Sequence, residues 1–350
     1  MGCTWSGLDA LYGAVGSGAE VFVNKRRFKI QRQLGEGGFA FVYLVRELIP
    51  AGLQPLKDSD DPNPGSEDGM YALKKVLIQS DEQLELVEKE IEVSSLFNHP
   101  NVIRLLEHSI IKVAKTESQP EHQEGYLLFP VYRDGTLLDH LTRMQEAKTF
   151  FPTITVLHIF RQICAGLKHM HTHGPPYAHN DIKPGNVLVS LPKNAPPVAV
   201  IMDMGSARPA RRELRNRKEA LALQEWASQH CTAPYRAPEL WDAPSDAILD
   251  ERTDIWALGC TLYALMYGIS PFEYALGEQG GSLHLAAMSG VLKWPPGPNP
   301  SYPDSLHQFV KWMLTPSVAS RPFIQDVCIH VDKLISKFDS DARGLWHLKG

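Results

Sequence analysis

The chain has 350 residues, 43% of them hydrophobic and 21% charged, with a formal net charge of −5. Such a composition excludes a low-complexity or fibrous chain and fits a globular protein with two lobes or domains. The acidic balance gives no general reason for nucleic acid as a partner. Five scattered cysteines (Cys3, Cys164, Cys231, Cys260, Cys328) fit a reducing compartment better than a disulfide framework.

No apolar run reaches the ~18–20 residues that span a bilayer, and no secretion signal opens the chain. The start, MGCTWS, instead matches M-G-x-x-x-S/T, which offers Gly2 for myristate once Met1 is removed. One acyl chain holds a membrane marginally, and Cys3 beside it can carry a second. Residues 1–24 are small and glycine-rich, and are predicted to be a flexible tether.

From Phe28, FKIQRQLGEGGFAFVYLVREL predicts strand, turn, strand. In its centre Gly35 and Gly37 let backbone amides approach a phosphate, with Phe39 at the tip as a cap. A tight hairpin uses the same G-x-G, and Ala40 replaces the third glycine of G-x-G-x-x-G. A long surface loop rich in Pro, Gly and Asp follows. Met70–Ile78 is another predicted strand, in which Lys74 and Lys75 take opposite faces and Ala72 shares the face of Lys74. Residues 81–97 have helical spacing, with Leu84, Val87, Ile91 and Leu96 near one face. A buried ammonium needs a partner. Glu90 is the choice for Lys74, since Glu88 and Glu92 lie roughly 200° further around the helix. Two more strands are predicted around 102–108 and 125–131.

Beyond Pro130 the pattern turns helical, with buried helices predicted at 153–172 and 254–268. Between them lies YAHNDIKPGN, Tyr177–Asn186. Asp181 can take the proton of a hydroxyl, Lys183 can neutralise a phosphoryl group, and Asn186 can ligate a metal. Asp203, in VAVIMDMG, is a second ligand candidate, with Gly205 for the turn. One or two such oxygens suit Mg²⁺ held with substrate phosphates. His169, His171 and His173 end a helix, which favours cations against its dipole, and His179 is assigned to packing the loop. The run Arg208, Arg211, Arg212, Arg215, Arg217, Lys218 is assigned to a solvated face in preference to an anion-docking surface. KEALALQEWASQ after it predicts a helix anchored by Trp226.

In order, these motifs are a Gly-rich loop, a strand Lys, a helix Glu, H-x-D-x-K-x-x-N and D-x-G. Together they resemble the eukaryotic protein kinases. APE at Ala237–Glu239, DIWALG at Asp254–Gly259 and Arg321 in SRP extend the match over about residues 28–335. The stretches LFNHPNVIRL, DMGSA and LALQEWASQHCTAPYRAPEL narrow the resemblance to the Numb-associated branch, and within it to the doubly acylated, Golgi-associated kind.

The resemblance implies an α+β, two-lobed fold, with a small antiparallel-sheet N-lobe carrying one key helix and a mainly helical C-lobe. The expected boundaries are the tether 1–24, a kinase domain 25–337 (lobes about 25–130 and 133–337) and a tail 338–350, with a cleft between the lobes. It implies ATP and Mg²⁺, with Lys74 fixed by Glu90 on the phosphates. Asp181, Lys183, Asn186 and Asp203 become the catalytic set. Leu34, Val42, Ala72 and Leu188 become the adenine sandwich, Phe129 the gatekeeper, and Pro130 to Tyr132 the hinge. Pro130 lacks an N–H, so the base edge must use its carbonyl and the backbone of Tyr132.

Lys183 and Thr232 point to Ser/Thr hydroxyls of proteins as acceptors, and Glu239 with Arg321 to a protein-substrate platform. The resemblance also supports acylation of Gly2 and Cys3. It implies a monomeric, constitutively active, autophosphorylating enzyme on the cytosolic face of Golgi membranes, partly cytosolic. The alternative is a pseudokinase scaffold that binds partners without phosphoryl transfer. One departure stands out: Asn180 occupies the position where the family commonly carries an Arg that grips an activation-loop phosphate.

Overall fold

A computed structural model describes residues 18–37, 40–49, 69–114, 121–192, 195–277, 280–297 and 300–346, with side chains up to 339. Gly2, Cys3, Phe39 and most of the predicted loop after residue 49 lie outside the described residues. The chain divides into two compact units, Met1–Arg133 and Asp134–Gly350.

The first unit is one antiparallel sheet with a helix on one face. Its strands are β1 (Glu20–Val23), β2 (Arg26–Gly37), β3 (Ala40–Glu47), β4 (Met70–Ile78), β5 (Glu107–Val113) and β6 (His122–Pro130). They are ordered β1-β2-β3-β4-β6-β5. The two-residue period sorts the side chains. Phe28, Tyr43, Val45, Tyr71, Leu73, Tyr126 and Leu128 form a closed core on one side. On the other, Ile78, Val87 and Leu127 meet Leu84, Ile91 and Phe129 beneath helix α1 (Asp81–Leu96). Ser80 caps α1 by accepting from the Gln83 N–H, and Asp81 and Glu82 complement the dipole in its first turn.

Three sequence expectations are corrected here. The tether ends before Asn24, because Glu20–Val23 pairs with β2 and buries Val21 and Val23. The strand expected around 102–108 is Glu107–Val113. Val102 and Ile103 are buried without a ladder, so their apolar run mimics a strand. Leu96, at the end of α1, is exposed instead of joining Leu84, Val87 and Ile91.

The second unit is helical around α6 (Arg252–Tyr267), buried on every side from Thr253 to Tyr267. An apolar helix with no polar face must be the centre of its unit. Around it stand α2 (Leu137–Glu146), α3 (Thr153–His171), α7 (Pro271–Leu276), α8 (Leu283–Ser289), α9 (Asp304–Met313) and α10 (Ile324–Trp346). Gly259 lets α9 approach closely, since a Cβ there would lie 3.0 Å from Met313 and Leu314 side-chain atoms. α10 runs on past Lys337, so the predicted tail boundary at 338 falls inside a helix.

Short strands carry the functional loops. β7 (Tyr177–Ala178) pairs with β10 (Arg208–Pro209), β8 (Val187–Ser190) with β9 (Val198–Ile201), and β11 (Arg212–Leu214) with β12 (Ala247–Leu249). Helices α4 (Arg217–His230) and α5 (Pro238–Trp241) complete the segment between D-x-G and A-P-E.

Candidate active site

In the first unit, β-sheet register decides between the two lysines. Lys74 pairs with Val42 and Leu127 across the ladder, on the α1 side, and its Nζ lies 2.5 Å from Glu90 Oε1. Lys75 takes the opposite face, where Nζ reaches Glu124 Oε1 at 2.8 Å. Burial pushes the Glu124 carboxyl up, but Lys75, Tyr126 and His122 together hold it below the usual carboxylate range. Glu88 and Glu92 are exposed, as their places on the helix require. Ala72 and Phe129 are register partners on the Lys74 face. Gly35 and Gly37 lie opposite Val42 and Ala40, and a Cβ on either would meet nothing among the described residues within 4 Å. Packing within the protein therefore does not demand glycine there, whereas close approach of a ligand to the backbone would.

In the second unit, Asp181, Lys183, Asn186 and Thr232 form one connected cluster. Asp181 Oδ1 accepts from the Thr232 N–H at 2.9 Å and from its Oγ1 at 2.6 Å. Asp181 Oδ2 accepts from Lys183 Nζ at 2.7 Å and Asn186 Nδ2 at 2.9 Å. Lys183 Nζ also donates to Thr232 Oγ1 at 2.6 Å. Four hydrogen bonds to one carboxylate fix its plane. Cys231, next in sequence to Thr232, is no nucleophile, because burial and then the Asp181 charge push its thiol up to about 12.

Asn186 places its amide nitrogen on Asp181 O and Oδ2, both at 2.9 Å. Its carbonyl oxygen is thereby turned away from Asp181. The strand leading to Asp203 is joined to the same loop, since Met202 N donates to Asn186 O at 2.9 Å. Asp203 itself sits at φ +68° and accepts from the Gly205 N–H. A left-handed conformation in a residue other than glycine is sparsely populated and clusters at functional sites.

Beneath the loop lies a residue whose role the motif reading did not foresee. Asp254, wholly buried at the start of α6, accepts from the His179 N–H and the Asn180 N–H at 2.7 Å each, and from His171 Nε2 at 2.9 Å. The available signal was an acidic residue opening the most apolar helix of the chain. His179 is structural as expected. Its Nδ1 accepts from the Asp181 N–H, so Nε2 carries the proton and donates to Met202 O at 3.0 Å.

The expected pair of Glu239 and Arg321 is present and bidentate, at 2.7 and 3.0 Å. Helix α4 forms, capped by Asn216 and stapled back by Glu219, which accepts from the Arg215 N–H. Its buried anchors are Ala220, Leu223 and Ala227, not Trp226. Trp226 is half-buried between the Arg208 guanidinium at 3.3 Å and the His230 ring at 4.8 Å. Arg208 thus leaves the solvated run, and burial with nearby Arg212 pulls it down to about 10. Arg211 instead reaches the buried Glu251, and Arg215 pairs with Glu213 at the surface, where such a pair contributes little.

The first unit thus holds a strand Lys paired with a helix Glu, and the second holds a hydrogen-bonded loop Asp and an ordered segment before A-P-E. A family model described as protein kinase domain matches residues 64–331. The chain belongs to the protein kinases, and its class is serine/threonine protein kinase. It is 35% identical over 321 residues to serine/threonine-protein kinase 16 of Homo sapiens, covering 91% of this chain and 92% of that protein. The Rattus norvegicus protein of the same name matches to the same extent. Serine/threonine-protein kinase ENV7 of Saccharomyces cerevisiae is 30% identical over 350 residues, covering 87% of this chain and 91% of its own.

Proposed function

We propose that this kinase is anchored to a membrane by its N-terminus, transfers the γ-phosphoryl group of Mg-bound ATP to Ser/Thr hydroxyls, and works without phosphorylation of its activation segment. The carrying observation is the Asp181 carboxylate, already fixed by Thr232 of that segment. Asp181 orients the acceptor hydroxyl and takes its proton. Lys183 faces the transferring phosphoryl group, and Lys74, oriented by Glu90, holds the phosphates of ATP near the Gly-rich loop. These groups act by positioning and electrostatic stabilisation.

The donor set suits Mg²⁺. Asn186 spends its amide nitrogen on Asp181 and keeps an oxygen for a metal, and Asp203 adds a carboxylate. Bound there, the ion would offset charge on the phosphates. The nucleotide contacts of Leu34, Val42, Ala72, Phe129, Pro130, Tyr132 and Leu188 belong to the same proposal, as do autophosphorylation and a monomeric state.

Activity that needs no loop phosphate has a direct consequence. Treating the purified enzyme with a phosphatase leaves kcat for a general protein acceptor within about twofold of the untreated enzyme. Loss of nearly all transfer, restored by preincubation with Mg-ATP, would sink this part.

Anchoring is supported by MGCTWS and by the resemblance to doubly acylated kinases; no described helix is long and apolar enough to cross a membrane. In cells fed labelled myristate and palmitate, Gly2→Ala loses both labels and moves to the soluble fraction. Cys3→Ser keeps myristate and binds membranes weakly, because one chain gives only marginal affinity. Unchanged membrane association in both variants would overturn the anchor, and with it the Golgi location.

A further inference from the structure

Asn180 precedes Asp181 and adopts φ +65°. Asparagine visits this left-handed region more readily than longer side chains. The main-chain N–H of Asn180 donates to Asp254 Oδ1. Its side-chain nitrogen donates to two carbonyls, Ala178 O at 3.0 Å and Ser206 O at 3.1 Å. One amide group thereby joins the catalytic loop to the segment that follows Asp203. Ser206 passes the connection on, its hydroxyl donating to His230 O at 2.8 Å at the end of α4. Two residues later Thr232 returns to Asp181 through both its N–H and its hydroxyl.

We propose that Asn180 is a positioning residue for phosphoryl transfer: it closes a ring running Asp181, Thr232, His230, Ser206, Asn180 that holds base and activation segment in register. Apart from the Asp181 carboxylate, the groups that close the ring are amides, hydroxyls and carbonyls, so no phosphate is needed to close it. The role depends on Asp181 being the base, as read above. An Arg at this position would carry its terminal NH₂ groups three bonds further out and could not set one nitrogen on both carbonyls. An Asp of the same shape would present oxygen to two oxygens.

The ring makes a separable prediction for Asn180→Asp and Asn180→Gly in the full-length, phosphatase-treated enzyme. Asn180→Asp lowers kcat about 30-fold while KM for ATP stays within about threefold, the split expected when geometry and not ground-state binding is lost. Asn180→Gly keeps the turn and loses only the amide, and shows the same split at about 5- to 10-fold. In both variants, backbone amides of 204–210 and 226–232 exchange with solvent at least about tenfold faster, while those of α3 keep their protection. Should Asn180→Asp fail to fold, Asn180→Gly decides alone. Both variants keeping wild-type kcat and wild-type exchange would overturn the ring. So would a loss that appears wholly in KM for ATP. A wild-type enzyme that transfers no phosphate would instead defeat the assignment of the base, and the exchange measurement would still judge the ring by itself.

Discussion

Asp181→Asn lowers kcat by about 10³-fold, within the range for a lost general base, and leaves a folded protein with KM for ATP little changed. The substitution conserves shape, yet it reverses one half of the hydrogen-bond pattern. Oδ1 can still accept from Thr232, whose N–H and hydroxyl lie at 2.9 and 2.6 Å. The position of Oδ2 now carries an NH₂ that faces two donors, Lys183 Nζ and Asn186 Nδ2. Lys183 must turn away, so the base and the aim of the neighbouring cation are lost in one change. Steady-state kinetics with varied ATP and a protein acceptor, beside a thermal melt, measures the effect. Activity within tenfold of wild type would remove Asp181 from the role of base.

The largest effect on stability falls on the Glu239–Arg321 pair, far from the chemistry in sequence. All five guanidinium N–H groups of Arg321 are used: two on Glu239, and three on the carbonyls of Thr315, Arg252 and Pro316. Removing one partner of a buried pair costs about 3–5 kcal/mol, because a desolvated charge is left behind. Glu239→Ala therefore lowers the melting temperature by roughly 10 °C, at about 2–4 °C per kcal/mol for a unit of this size. Arg321→Met falls further, because it strands three carbonyls as well as a carboxylate. Equal or smaller loss in Arg321→Met would mean that the carbonyl bonds carry no net stability.

Much of the fold and site was legible because kinase chemistry constrains short stretches strongly. Strand alternation puts Lys74 and Lys75 on opposite faces, the V-A-I-K pattern singles out Lys74, and Glu90 is chosen over Glu88 and Glu92 as its partner; that ion pair is present. Helices 153–172 and 254–268 were readable because each is a long, apolar, periodic run, and both appear within two residues of those bounds. What escaped has a common cause: a residue's partner, not its own type, decides its role. Arg208 was counted with a solvated run, but its strand turns it onto Trp226. The apolar run after Pro100 matched a strand by composition, yet Val102 and Ile103 are buried outside any strand, and the ladder to β6 begins only at Glu107. Asn180 read as a missing arginine, since nothing local announces that Ala178 O and Ser206 O lie within reach of its amide.

Asp254 also sets an order of events during synthesis. It follows Asn180 by 74 positions and His179 by 75, yet its carboxylate holds both of their N–H groups. The catalytic loop leaves the ribosome well before the residue that shapes it. Until α6 has emerged and packed, the His179 and Asn180 main-chain N–H groups lack the carboxylate that accepts from both. Contacts this distant in sequence close late because the intervening loop must first be ordered. A nascent or truncated chain ending before α6 carries the full H-x-D-x-K-x-x-N motif and still lacks a formed site.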